Sequence, residues 1–189
     1  RSVQLLGLAA CYRPSLLSLV HGHPLRRALR RGDLQAAVGD VFPLQIPQHR
    51  VSRWRRNVGA HAVRRLPAFL QAGRLRALQL RVQLSQLPAV QVVDGIAGSG
   101  GTWPLLMLRL ASVRARDQVL DALWHRGLGV SRMFIHALPD YVYLRGIVPD
   151  APVPNARDFA ARLLTIGNSA WQTPEETAQI LQALADAQP

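Results

Sequence analysis

The spacing of apolar positions changes character along this chain, and the changes mark its organisation. From Val51 to Leu87, the residues Leu66, Phe69, Leu70, Leu75, Leu78, Leu80, Val82, Leu84 and Leu87 recur mostly at helical spacing, with arginines between them. That pattern predicts one long amphipathic helix, because positions three and four apart share a helix face. Ser52 is suited to cap its start, Pro67 to kink it or split it in two, and Pro88 to stop it near Leu87. After Pro88 the period shortens. Val90, Val92 and Val93 predict a short strand, GIAGSGG at 95–101 a flexible turn, and WPLLMLRLA at 103–111 a core strand, together a hairpin. Ser112 then caps a helix expected to run to about His125, with Val119, Leu120 and Leu123 facing inward; Gly127 ends it, and LGVSRMFI returns as a strand.

The last third repeats the alternation. Asn155 is expected to cap ARDFAARLL, with Asp158 in the first turn, where a carboxylate favours the helix dipole. LLTIG reads as a short strand, and Thr173-Pro174-Glu175-Glu176 as a capping box opening a helix to about Ala187. Upstream, residues 2–20 read as a helix or buried segment interrupted at Pro14. Residues 22–49, with Gly22, Pro24, Gly32, Gly39, Pro43 and Pro47, read as irregular chain with one short helix from Pro24 to Arg31. The expected fold is α+β, a long kinked helix leading into a small sheet covered by helices. It divides into an irregular basic segment at 1–49, the long helix at 50–88 and a small α+β domain at 89–189. The chain starts at Arg1 within an apolar run, and it reads as a piece of something longer, with 1–49 the remnant of, or linker from, an upstream domain.

Composition adds a constraint on chemistry. All 23 basic residues are arginine, and there is no lysine among the 189 residues. Residues 1–93 hold 15 arginines against Asp33 and Asp40, net +13, while residues 94–189 hold 8 against 9 acids, net −1; the halves sum to +12. Biased codon usage would give an arginine-only surface of this kind. The functional alternative is a stand-alone arginine-rich protein that grips nucleic acid or another polyanion, since guanidinium pairs with phosphate through two donors at once. Arg50, Arg53, Arg55, Arg56, Arg64 and Arg65 cluster with Trp54 near the start of the long helix, the strongest local support for that alternative. The single Cys11 excludes an intrachain disulfide, and a cytoplasmic compartment is expected. Arg13 and Pro14 cut the first apolar run well short of a membrane span, and no basic leader precedes it as in a signal peptide.

The chain carries no Gly-rich phosphate loop, no GxSxG elbow, no HExxH and no Cys/His cluster, so the strong catalytic and metal motifs do not apply. His21 and His23 flank Gly22 without a third ligand nearby, and no metal is expected. His125 falls at a helix end and His136 just past a strand, nearest of the histidines to a pocket mouth. Glu175 with Glu176 is explained by capping, and Asp117 with Asp121 is a pair on a solvated helix face.

Three stretches bear on function. QHRVSRW opens the long helix, LWHRGLGVSRMF turns on Gly127 and Gly129, and ARLLTIGNSAWQTPEET runs from helix through strand and loop into a capped helix. In that order, over about residues 46–185, the chain resembles the carboxyl-terminal half of the DegT/DnrJ/StrS-type aminotransferases. These are fold-type I enzymes that use pyridoxal phosphate, and many make amino sugars for surface polysaccharides. The resemblance implies a homodimer that exchanges an amino group between glutamate and a keto sugar nucleotide. It also implies that the helix entrance reaches across the dimer interface to a cofactor phosphate or substrate carboxylate, with Arg50 at the family's arginine position and Gln48 and His49 beside it as cofactor- or substrate-binding residues. Gln48 and His49 replace the family's Asn and Tyr, Arg53 stands where an acid is frequent, and Met133 replaces a histidine. The family attaches its cofactor to a lysine, and this chain has none. The resemblance therefore implies no catalytic residue in this chain and no activity for it alone.

Overall fold

The computed structural model describes residues 14–39, 50–96 and 100–187, together with residues 7, 11, 45, 48 and 98. The elements, in chain order, are α1 (Pro14–Val20), α2 (Gly22–Arg30), α3 (Leu34–Val38), α4 (Arg53–Val63), α5 (Leu66–Leu84), β1 (Val90–Val92), β2 (Leu105–Leu110), α6 (Val113–Leu123), β3 (Val130–Ser131), α7 (Pro154–Arg162), β4 (Leu163–Gly167) and α8 (Pro174–Asp186). Short 3₁₀ turns stand at Trp124–Arg126, Leu138–Asp140 and Val142–Leu144.

The hairpin expected after Pro88 forms and becomes one side of an antiparallel sheet in the order β1-β2-β4-β3. Its register places Val92 opposite Leu108 and Leu108 opposite Leu164. Strand side chains alternate in direction, so Leu106, Leu108 and Leu110 of β2 share one face. Leu164 and Ile166 of β4 join them in a single apolar cluster with Val119, Leu120 and Leu123 of α6 and Ile180 and Leu184 of α8. Those three α6 positions are the inner face that helical spacing predicts. Leu163 and Thr165, on the opposite face of β4, are buried as well. Burial on both faces is why LLTIG reads as a continuous apolar run rather than an alternating one.

Side-chain caps fix several boundaries. Ser52, Ser112 and Thr173 each accept a hydrogen bond from the backbone N–H three residues on. Glu176 returns the bond to the Thr173 N–H at 2.9 Å, completing the capping box at the start of α8. Beside it, the Glu175 carboxyl is held below its usual range, first by its own backbone N–H and then by the Thr173 hydroxyl.

Three expectations are corrected, and one alternative is decided. Residues 22–38 are not mostly irregular: they form α2 and α3, and Leu25 and Ala37 belong to the main apolar cluster. Gly32 and Gly39, which suggest loop in the sequence, have positive φ and end these helices as left-handed stops. Of the two outcomes expected at Pro67, a kink or a split, the helix splits: α4 ends at Val63, and α5 begins at Leu66 with Pro67 in its first turn, where the missing N–H costs no bond. Asn155 is not a cap. Helix α7 starts at Pro154, whose fixed φ suits the first helical position, so Asp158 lies beyond the first turn and pairs instead with Arg109 and Arg162. The return strand shrinks to Val130–Ser131, because Arg132 donates to the carbonyls of Ile135 at 2.9 Å and Ala160 at 3.4 Å and draws the chain into a turn.

Arg116 and Arg132 form an unbalanced pair inside the sheet unit. Arg116 is only 3% exposed; its Nε donates to Asp117, while its Nη1 is buried without an acceptor among the described residues. Arg132 Nε is likewise buried and unmatched. Burial first, and then the neighbouring Arg116 charge, pull the Arg132 guanidinium down to about 10. Burying an incompletely paired charge carries a desolvation cost, and because Asp117 is half exposed, removing Arg116 leaves no buried carboxylate behind. Arg116→Met is therefore expected to leave the thermal midpoint unchanged or raise it by a few degrees. Calorimetry checks this, and a drop of more than about 5 °C would show that Arg116 is properly paired.

Candidate functional site

The residues singled out at the helix entrance lie apart from the best-formed cleft. Gln48 and Arg50 are exposed, four and two residues before the Ser52 cap, and neither borders that cleft. His49 lies outside the described residues. His136, the histidine expected nearest a pocket mouth, is exposed and stacks edge-on against Tyr141 with ring centroids 5.3 Å apart. The nearby Asp140 carboxyl is held below its ordinary range, chiefly by the hydrogen bonds that Arg157 donates to it.

The cleft, about 360 Å³, opens between the middle of α5, the start of β2, the Gly127–Gly129 turn and the loop after β4. Asn168 organises it. Its Nδ2 donates to the Gly73 carbonyl at 2.7 Å and to the Trp103 carbonyl at 2.8 Å, and its Oδ1 accepts from Arg76 Nε at 3.3 Å. Its backbone N–H donates to the Pro104 carbonyl at 3.0 Å. One amide thus ties α5 to both strand ends and holds the Arg76 guanidinium by one edge. The bonds also hold Trp103 at φ 51°, the one non-glycine residue with positive φ among those described. Such a conformation costs about 1 to 3 kcal/mol, and it clusters at ligand sites. The Arg81 guanidinium sits 4.9 Å from the Trp103 ring centre and pairs with Asp94.

Two glycines let the floor close. Gly129 has φ +75°, a conformation that other residues rarely adopt, and the Gly167 N–H donates to its carbonyl at 2.9 Å, so the two backbones pack directly against each other. With Phe69, Trp103 and Trp171 as walls and Arg76 as its cation, the cleft suits a flat ligand bearing one anionic group. Sequence reasoning missed Arg76 and Asn168. Arg76 is one of nine arginines in 50–87, a stretch with no acid, and only its partner distinguishes it. The GNSAW loop follows LLTIG closely enough to have drawn notice to Asn168.

Among the described residues, no group of three His, Cys, Asp or Glu could hold a metal ion. Nor is any helix among them long and apolar enough to cross a membrane.

An antiparallel sheet entered from paired helices and covered by α6 and α8 places the chain in the α+β class seen in fold-type I aminotransferases. The particular likeness is to DesV of S. venezuelae, whose crystal structure was determined in complex with a ketimine intermediate; the TM-score is 0.60 at 16% sequence identity. The match covers 84% of this chain and 43% of DesV, so the chain spans less than half the length of that protein. At this identity the likeness is one of fold. No family model matches the sequence, and no curated protein matches it.

Proposed function

We propose that this chain is the carboxyl-terminal part of a pyridoxal-phosphate-dependent aminotransferase that moves an amino group between glutamate and a keto sugar nucleotide. The observation that carries the proposal is the fold likeness to DesV over 84% of the chain. The order of motifs from QHRVSRW to QTPEET supports it, and so does the cleft at Arg76 and Asn168.

These residues do not fit the cofactor by themselves. Pyridoxal phosphate is held covalently on a lysine amine in such enzymes, and the sequence contains no lysine. In this reading the chain contributes one wall of the site, and the attachment residue belongs to the rest of a longer protein. Arg50 binds an anionic group of substrate or cofactor, with Gln48 and His49 beside it. The exposed apolar residues Trp54, Val58, Leu66 and Phe69, which border a groove of about 700 Å³ between α4 and α5, are then covered in a homodimer of the complete cytoplasmic enzyme.

The test is to express the chain with its upstream reading frame and assay amino transfer from glutamate to keto sugar nucleotides. The longer protein is expected to be active and this chain alone inactive. In the longer protein, Arg50→Ala is expected to lower kcat/KM about 30-fold, the effect of losing a charge-assisted contact of about 2 kcal/mol. The thermal midpoint should not move, since Arg50 is exposed. An Arg50→Ala enzyme working at full rate removes Arg50 from the site, and a longer frame that also lacks lysine removes the aminotransferase proposal.

A further inference from the structure

Helix α2 concentrates positive charge on one face in a way that α4, the more obvious basic segment, does not. At about 100° per residue, His23, Arg26, Arg27, Arg30 and Arg31 fall within an arc of about 140°. Leu25, Ala28 and Leu29 fall on the opposite side. They are the buried or half-buried residues through which α2 joins the apolar cluster. On α4 only Arg53, Arg55 and Arg56 lie within the helix, spread over about 160°, and Arg64 and Arg65 stand past its end in the turn before α5.

The α2 stripe is also docked on the rest of the fold, and among the described residues no carboxylate pairs with it. Gly22 sits against the His125 backbone carbonyl so closely that a Cβ there would lie 2.3 Å from its oxygen, which docks the helix on the 3₁₀ turn after α6. The five side chains border a hollow of about 350 Å³, and no other described residue lines it. Among the described residues, none of the four arginines makes an ion pair. Asp33, the nearest acid along the sequence, accepts from the Ala36 N–H to cap α3. Several guanidiniums held side by side without a carboxylate repel one another, and a row of anions relieves the repulsion.

We propose that this face of α2 binds the phosphodiester backbone of duplex nucleic acid. The length of the stripe favours a backbone over a single phosphate or diphosphate. His23 to Arg31 spans about 12 Å of helix, which matches three to four phosphates of one strand at about 3.4 Å of axial rise each. Contacts of this kind position a protein without reading sequence, so binding should be indifferent to base composition. The inference does not depend on the aminotransferase reading.

The experiment measures binding of the chain to a labelled 20-base-pair DNA duplex by anisotropy across a salt series, with vesicles of anionic phospholipid as a second probe. Four arginine contacts give a slope of log K against log salt of about −3 to −4. The double variant Arg27→Gln/Arg30→Gln should flatten the slope by about 2 and weaken binding on the order of 50-fold at about 0.1 M salt. Both positions are exposed, so its thermal midpoint should equal that of the parent chain. The control Arg53→Gln/Arg56→Gln removes the same charge from α4 and should have a clearly smaller effect. Equal losses in the two variants would show diffuse attraction to net charge and overturn the site. So would failure to bind duplex at low salt, or binding to vesicles but not to duplex.

Discussion

Leu164→Ala is expected to lower the midpoint of thermal unfolding by about 10 °C. Leu164 is 0% exposed and sits in β4, which pairs with β2 on one side and β3 on the other. Its partner across the β2–β4 ladder, Leu108, is equally buried, and α6 and α8 close over the same cluster. Truncation there removes transfer free energy and leaves a void that a paired strand cannot collapse to fill, which together cost about 2 to 5 kcal/mol. Each kcal/mol moves the midpoint of a chain this size by about 2 to 4 °C. Calorimetry should show the drop, with Leu19→Ala as a control, because Leu19 is 65% exposed and should barely respond. If the two variants unfold within about 2 °C of each other, the cluster around β4 is not the core.

Gly22→Ala is the second large effect expected, and it should be regional. The added Cβ would lie 2.3 Å from the His125 carbonyl oxygen and 3.2 Å from the carbonyl carbon. Both atoms are backbone, so no side chain can swing away. Relief requires α2 to lift from the turn at Trp124–Arg126, taking Leu25 with it, at about 1 to 3 kcal/mol, the usual range for overpacking. Amide exchange should accelerate across residues 22–38 while β2, β4 and α8 stay protected, because local opening need not involve the whole fold. Unchanged exchange in 22–38 would mean that α2 is not seated on that turn. The same variant would disturb the arginine face of α2, since that face is presented by a docked helix.

Local chemistry made much of the fold legible. Ser112, Thr173 with Glu176, the LLTIG strand and the hairpin between Val90 and Leu110 form where the sequence puts them, because caps, turns and alternation act over a few residues. Asn155 misleads because Pro154 stands beside it, and the fixed φ of Pro154 sets the boundary two residues earlier, with Val153 at the cap position. At 22–49 the glycines and prolines suggest irregular chain. Gly22 is instead the close contact with His125, and Gly32 and Gly39 end helices, so the same residues served packing and termination.

The sequence by itself determined the order of helices and strands, the inner face of α6, the lack of a lysine to carry a cofactor, and the concentration of arginine in the first half. The tertiary structure decided which positions count. Only folding joins Asn168 to Gly73, Arg76 and Trp103 across 65 to 95 residues of chain. Only folding seats α2 on the turn after α6 so that its arginines face outward together. Leu66, Phe69, Leu75 and Leu78 look like core in the sequence and remain exposed here. Helical spacing fixes which residues share a face, whereas burial depends on what the rest of the protein brings against that face.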